Sequence, residues 1–205
     1  MERGFIVAGI STEIGKTVAS AILVEALHAD YWKPVQSGCL EDSDRETVQG
    51  LVSNQTSSFH REAYLLEQPL SPHAAAEIDG VSIEVERLGL PKTDNPLIVE
   101  LAGGLMVPLT HTLLNLEMVK MWKLPVILVA SYYLGSINHT LLTCEVLRKH
   151  GVEVHAIMFN GDPVQSSKEA IVAYSGINRI IEIPRLESLN KEEIKKHAER
   201  IAKEI

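Results

Sequence analysis

A short apolar run, Phe5 to Ala8, leads into Gly9-Ile10-Ser11-Thr12-Glu13-Ile14-Gly15-Lys16-Thr17, and a segment of helical period, Thr17 to His28, follows at once. The run reads as a buried strand and the segment as the helix after it, with Val18, Ile22, Val24 and Leu27 roughly on one face. A glycine-bearing turn from strand to helix aims backbone N–H groups and the positive helix end at one point, which suits an anion. Lys16 is placed to reach β- and γ-phosphates, and the Thr17 hydroxyl to ligate Mg²⁺. The strict pattern G-x-x-x-x-G-K-[ST] wants glycine where Ile10 stands, and Gly9 precedes it by one, so the match is to a variant phosphate loop.

The rest of the chain alternates short apolar runs with helical segments. Tyr31 to Lys33 reads as a second strand leading into a polar loop, and Asp42 or Ser43 as the cap of a helix running to about Val52. Residues 53–62 read as loop. Short helices are expected from Ser71-Pro72-His73 and over Ser82 to Leu88. Strands follow at Pro96–Glu100, Pro125–Ala130, Val154–Phe159 and Arg179–Ile183, with helices at Asn115–Trp122, Ser136–His150, Gln165–Tyr174 and Lys191–Ile205. That alternation predicts one α/β domain over residues 1–205, a doubly wound, mainly parallel sheet flanked by helices, with ligands beyond the C-terminal strand ends.

A net charge of −8 argues against a surface that coats nucleic acid, which needs clustered cations. No stretch reaches the roughly 18 apolar residues of a membrane span. The start, with Glu2 and Arg3, lacks the apolar core of a secretory leader, so a cytoplasmic protein is expected. Cys39 and Cys144 show no metal-ligand spacing and read as two reduced thiols.

Three further side chains point to phosphoryl chemistry. Glu100 ends the run Leu97-Ile98-Val99, and Gly103-Gly104 after it permit close backbone approach. Asp44 lies in Asp42-Ser43-Asp44; its spacing fits a metal ligand and an N-cap or first-turn acid answering the helix dipole equally well. Lys33 opens Lys33-Pro34-Val35-Gln36-Ser37-Gly38 at a strand end, where a second cation would serve a transferring phosphoryl group; a Lys-Pro taken by itself reads rather as a solvated lysine in a turn.

Taken together, GISTEIGKT, KPVQSG, DSD, SPHAAA, VELAGGLMVPL and LGSINHTLLT, in this order from residue 9 to about 162, resemble the dethiobiotin synthetase family. GKT alone is shared by many nucleotide-binding chains, whereas the ordered set is specific, and the family's loop has one residue more between its glycines than the strict motif. The resemblance implies a homodimeric, Mg²⁺- and ATP-dependent ligase. It joins CO2 to 7,8-diaminononanoate and closes a ureido ring through a carbamate and a carbamic–phosphoric anhydride. It implies catalytic roles for Lys33, Lys16, Thr12 and Glu13, and metal ligation by Thr17, Asp44 and Glu100. Substrate contacts fall on Ser37 and, across a dimer interface, on Gly135, Ser136, Ile137 and Asn138. Nucleotide contacts fall on Glu13, Ile14, Gly15, Lys16, Thr17, Val18, Asp44, Glu100, Leu101, Ala102 and Gly103. They continue at Asn160, which reads the adenine, at Gly161, and at Pro184, Arg185 and Leu186, which close over the base.

Three positions depart from the family pattern: Leu101 where a small residue is expected, Ser11 in place of an acid, and Ser131-Tyr132-Tyr133 before the LGSIN segment. His73, His139 and the group Met118, Met121 and Trp122 read as structural. Two rivals are less well matched. A switch-type ATPase working through a protein partner usually carries a second lysine five residues before the loop lysine, where this chain has Ser11. Amidating ligases resembling cobyric or cobyrinic acid synthetases continue into a glutaminase domain, whereas this sequence stops at Ile205.

Overall fold

The structure is a computed structural model that describes residues 4–39 and 41–205; Glu2 and Arg3 of the leader reading lie outside the described residues. The chain runs β1 (Gly4–Gly9), α1 (Lys16–Leu27), β2 (Asp30–Trp32), β3 (Val35–Ser37), α2 (Asp44–Leu51), β4 (Phe59–His60) and β5 (Tyr64–Leu66). Then come α3 (Pro72–Ile78), a 3-10 turn (Val85–Leu88), β6 (Leu97–Gly104), α4 (Asn115–Trp122) and β7 (Val126–Ser131). The last elements are α5 (Ser136–Lys149), β8 (Val154–Asn160), α6 (Gln165–Ser175), β9 (Ile180–Ile183) and α7 (Lys191–Ile201).

Seven strands pair in the order β4-β2-β6-β1-β7-β8-β9, and every pairing is parallel. β1 sits between β6 and β7 and is buried along its whole length. Its alternate side chains enter different cores: Ile6 and Ala8 pack with Trp32, Leu101 and Trp122, while Phe5 and Val7 pack with Tyr31, Ile98 and Ile194. A parallel sheet covered on both faces needs apolar residues at successive positions, which is why its strands read as continuous runs. α1 is held between the sheet and α7, whose Ile194, Ala198 and Ile201 are buried against it. All parallel strands therefore end on one side, and the loops after β1, β2, β6, β7 and β8 meet there.

Several boundaries depart from the sequence reading. Lys33-Pro34-Val35-Gln36-Ser37 does not form a plain loop: Val35–Ser37 is β3, which pairs in parallel with β5 in a separate two-stranded sheet. Residues 53–62 include the short edge strand β4, tied to β2. The Ser82–Leu88 helix is only a 3-10 turn at Val85–Leu88. β6 continues past Glu100 to Gly104 because the chain bulges there and then rejoins β1 at Gly9. α7 stops at Ile201.

Met118 and Trp122 are buried, with the Trp122 indole donating to the Leu88 carbonyl (2.7 Å) and meeting Trp32 edge-on; Met121 is exposed. Cys39 is exposed, Cys144 is buried, and both are free thiols. Among the described residues no helix is long and apolar enough to cross a membrane.

Candidate active site

Ser11 to Gly15 wrap the start of α1. Glu13 (φ 56°) and Gly15 (φ 87°) adopt left-handed backbone, the alternation that turns successive N–H groups into one concavity. α1 begins at Gly15 with no side-chain cap, so its first N–H groups stay available to an anion. Gly15 is required twice. Beyond its φ, a Cβ there would lie 1.9 Å from Asn160 Nδ2, which donates to the Ile14 carbonyl at 3.1 Å. Asn160 thus leaves the end of β8 to brace the loop. The Lys16 ammonium donates to the Ser11 carbonyl (3.1 Å), so its stem crosses the loop entry; burial, opposed by Glu100, holds its pKa below the ordinary lysine value.

Deeper in, four elements converge on one cluster. Thr17 Oγ1 (α1) donates to Asp44 Oδ1 (2.5 Å) and lies 3.3 Å from Glu100 Oε1. The Lys33 ammonium, just past β2, donates to Asp44 Oδ2 and lies 3.4 Å from Glu100 Oε1. Burial by itself would lower the pKa of Lys33, but Glu100 and Asp44 hold it above its ordinary value. Desolvation would raise the pKa of Asp44, yet Lys33 and Thr17 keep it below the usual range. Glu100 is wholly buried and accepts on Oε2 from Ser20 (2.7 Å) and Tyr31 (3.0 Å). The Tyr31 hydroxyl, buried and beside that carboxylate, is pushed far above the ordinary tyrosine range and stays a neutral donor.

Asp44 does lie in the first turn of α2, and its carboxylate also faces Thr17 and Lys33. Ser43 is the N-cap of α2 and forms a reciprocal capping box with Glu46. Asp44 is therefore the first helical residue. Gln36 supports this placement: its amide nitrogen donates to the Gly38 carbonyl (3.1 Å) and its oxygen accepts from Asp44 N (3.4 Å).

Ser37, at the end of β3, has a buried hydroxyl with no hydrogen-bond partner among the described residues. Leu101 is buried in the core on the face opposite Glu100, so only its backbone borders the site, and its bulk does not stand between the chain and a phosphate. Gly103 (φ 68°) brings the chain back toward Thr12, whose Oγ1 lies 3.6 Å from the position of a Cβ there. Gly135 (φ 102°) starts α5, Ser136 is buried, Ile137 is half-buried and Asn138 is exposed. Tyr133, one of the departures, bonds His139 through its hydroxyl (2.7 Å). A cavity of about 410 Å³ lies between this helix start and the loop, lined among others by Ser11, Thr12, Gly104, Met106, His139 and Leu142. Pro184, Arg185 and Leu186 follow β9. The bond from Gly161 N to the Ile183 carbonyl (2.9 Å) sets them beside Asn160. His73 stands apart, bonded to Ser71 and edge-on to His111.

Hard oxygen donors, two carboxylates and a hydroxyl, thus surround one point at the foot of an anion cradle, with two lysines reaching in. Residues 3–193 match the family described as AAA domain. The ATP-dependent dethiobiotin synthetase BioD of Christiangramia forsetii is 43% identical over 205 residues, spanning 100% of this chain and 99% of that protein. The chain belongs to the dethiobiotin synthetase family. The synthetase of Cytophaga hutchinsonii is 44% identical over 97% of this chain and 96% of its own, and that of Agrobacterium fabrum 44% over 94% and 91%. A ParA family ATPase from Chlorobium tepidum superposes over 100% of both chains with a TM-score of 0.59 at 13% identity, a likeness of fold alone.

Sequence reasoning about this synthetase chain missed four residues that shape the site. Ser20 lies one helical turn after Thr17, and Tyr31 shares the strand face of Lys33 two residues on, so both were open to periodicity. Gln36 and Asn115 carried no local signal for the site, because Gln36 meets Asp44 N, and Asn115 the Ala102 carbonyl, only in the folded chain.

Proposed function

We propose that this chain carries out the reaction of its family: ATP-dependent carboxylation and ring closure of 7,8-diaminononanoate to dethiobiotin, a step of biotin synthesis. The observation that carries this reading is the Lys33 ammonium, fixed at the foot of the phosphate loop against Asp44 and Glu100 and at the head of the segment bearing Ser37. A switch ATPase usually draws its second lysine from the phosphate loop, at the place of Ser11 here, whereas this second cation heads the segment that carries the buried Ser37 hydroxyl.

Thr17, Asp44 and Glu100 fit Mg²⁺, an ion usually held by one or two carboxylates and substrate phosphates rather than by an all-protein cage. Bound there, it would neutralise charge on the β- and γ-phosphates. The N–H groups of Glu13 to Val18 hold the phosphates, Lys16 spans β and γ, and Thr12 lies at the γ end. Asn160, Gly161 and Pro184 to Leu186 surround the base. One substrate amine takes up CO2 as a carbamate, whose oxygen attacks the γ-phosphorus and leaves ADP. The second amine then displaces phosphate from the mixed anhydride and closes the ring. Lys33 offsets the charge of carbamate and transferring phosphoryl group, and Ser37 orients the substrate.

The far carboxylate of the substrate is received at the start of α5, Gly135 to Asn138, from a second copy of the chain. This homodimer is supported by Leu134, which is fully exposed, and by Met106 and Leu142, which are exposed at the cavity beside the phosphate loop. ATP as co-substrate sets the reaction in the cytoplasm.

The test is phosphate release from MgATP and bicarbonate, with and without 7,8-diaminononanoate, with the product weighed by mass spectrometry. Diamine-dependent release, with a product carrying one added carbonyl, is expected. Release independent of the diamine would favour the partner-acting switch ATPase instead.

A further inference from the structure

We propose that Asn115, at the start of α4, is a positioning residue that clasps the backbone beyond Glu100 onto the γ-phosphate end of the site. The inference rests on the ATP-dependent reaction above. Between Glu100 and Gly104, β6 advances four residues while β1 advances only two, from Val7 to Gly9. The surplus forms a bulge, a device that re-aims chain beside active sites. It returns to the sheet at Gly104, where a Cβ would lie 3.4 Å from the Gly9 carbonyl, and its apex, Gly103, is left-handed and abuts Thr12.

From Leu101 to Gly103 the bulge has no register partner in β1 among the described residues, and Asn115 supplies bonds that fix its shape. Asn115 is 2% exposed and spends both protons of its amide nitrogen on it, donating to the Ala102 (2.8 Å) and Gly104 (2.9 Å) carbonyls. Its own N–H donates to Val107 (3.0 Å), and that of Leu116 to Leu105 (3.1 Å). The first N–H groups of α4 thus fasten the whole return of the chain, and the side chain fastens its apex.

Two consequences follow for the reaction. The carbonyls of Ala102 and Gly104 are drawn onto the amide and cannot turn toward an anion, which they would repel. Gly103 is also kept against Thr12, at the loop entry that the Lys16 stem crosses on its way to Ser11. The clasp therefore acts on the terminal phosphate and on the acceptor facing it, and much less on the α- and β-phosphates held by α1.

Asn115→Asp keeps the shape and replaces the donor by a carboxylate facing two carbonyls; Asn115→Ala removes the donor alone. Two readouts separate the clasp from a structural role. The first is binding of AMP-PNP relative to ADP, both with Mg²⁺, which is defined whatever acceptor the enzyme uses. Both variants should lose at least 10-fold in AMP-PNP affinity while ADP affinity changes less than 3-fold. The second is diamine-dependent turnover per folded molecule, expected to fall at least 10-fold in kcat, with Asn115→Asp below Asn115→Ala. Should Asn115→Asp fail to fold, Asn115→Ala alone decides. Equal changes for the two nucleotides, or an unchanged ratio with only a lower melting temperature, would overturn the proposal. Absence of diamine-dependent release from the unaltered protein would count against the reaction, and the nucleotide ratio would still judge the clasp.

Discussion

Lys33→Met keeps much of the lysine's length and removes its charge from between Asp44 and Glu100. Glu100 would retain donors from Thr17, Ser20 and Tyr31, but Asp44 would keep Thr17 as its one side-chain donor. Removing one member of a fully buried ion pair costs about 3–5 kcal/mol. The Asp44 side chain keeps 24% of its exposure, so water compensates in part, and a loss of about 2–4 kcal/mol is expected without metal. At about 2–4 °C per kcal/mol for a domain of this size, 3 kcal/mol lowers the melting temperature by roughly 6–12 °C in EDTA.

A divalent cation can replace the missing charge among the same oxygens, so excess Mg²⁺ should narrow the gap between variant and wild type. Turnover should remain about 10²–10³-fold down even with Mg²⁺, the scale for removing one transition-state charge stabiliser. Thermal unfolding followed by circular dichroism in EDTA and in Mg²⁺, beside the phosphate-release assay, reads all three effects. A variant as stable as wild type in EDTA would refute the charge argument. An equal loss in both buffers would show that Mg²⁺ does not share these oxygens with Lys33.

Leu134→Glu places a charge on the exposed tip before α5 and should convert the proposed dimer to monomer in light scattering, with loss of turnover; a wild-type monomer of full activity would reject the shared site. Asp30 is buried at the start of β2 and accepts from Ser58 N, His60, Thr93 and Asn95. Burial pulls its pKa up, but these bonds, led by Asn95, bring it below its ordinary value of 3.8. Its contribution is therefore complete above that ordinary value and is lost as pH falls through the lowered folded value. Asp30→Asn should cost about 1.5–3 kcal/mol at pH 7 in urea unfolding, with the gap closing in more acid solution; a gap independent of pH would contradict the assignment.

What could be read in the sequence was what is local. Long apolar runs marked β1, β6, β7 and β8, and a polar residue at the end of such a run must emerge at the strand tip, which placed Lys33 and Glu100. The phosphate loop was legible because its glycines answer a purely local backbone demand. β3 was not, since a three-residue strand is defined by its partner, and β5 lies about thirty residues on. Asp44 was ambiguous in sequence because a carboxylate in a first helical turn has a local reason to be there, and its facing Thr17 and Lys33 depends on how α2 packs on α1 and β2. The extension of β6 through Ala102-Gly103-Gly104 was hidden for a related reason. Glycines after a strand signal a turn, and only the amide of Asn115, eleven residues later, holds them as a bulge.

The source of the second cation also bears on what this fold does with ATP. In a switch ATPase that lysine usually belongs to the phosphate loop itself, so its charge serves the phosphates and whatever partner approaches them. Here the position is Ser11, whose backbone carbonyl receives Lys16, and the second cation comes from the end of β2. That strand is paired with β6, which puts Lys33 on the Glu100 side of the loop and makes it continuous with the chain that carries Ser37. On the proposed reaction, in which Ser37 orients the acceptor, a cation anchored in this way belongs to the acceptor's segment and not to the nucleotide's. Its charge is therefore felt most at the bond between acceptor oxygen and γ-phosphorus, where a ligase must stabilise charge and a hydrolytic timer need not.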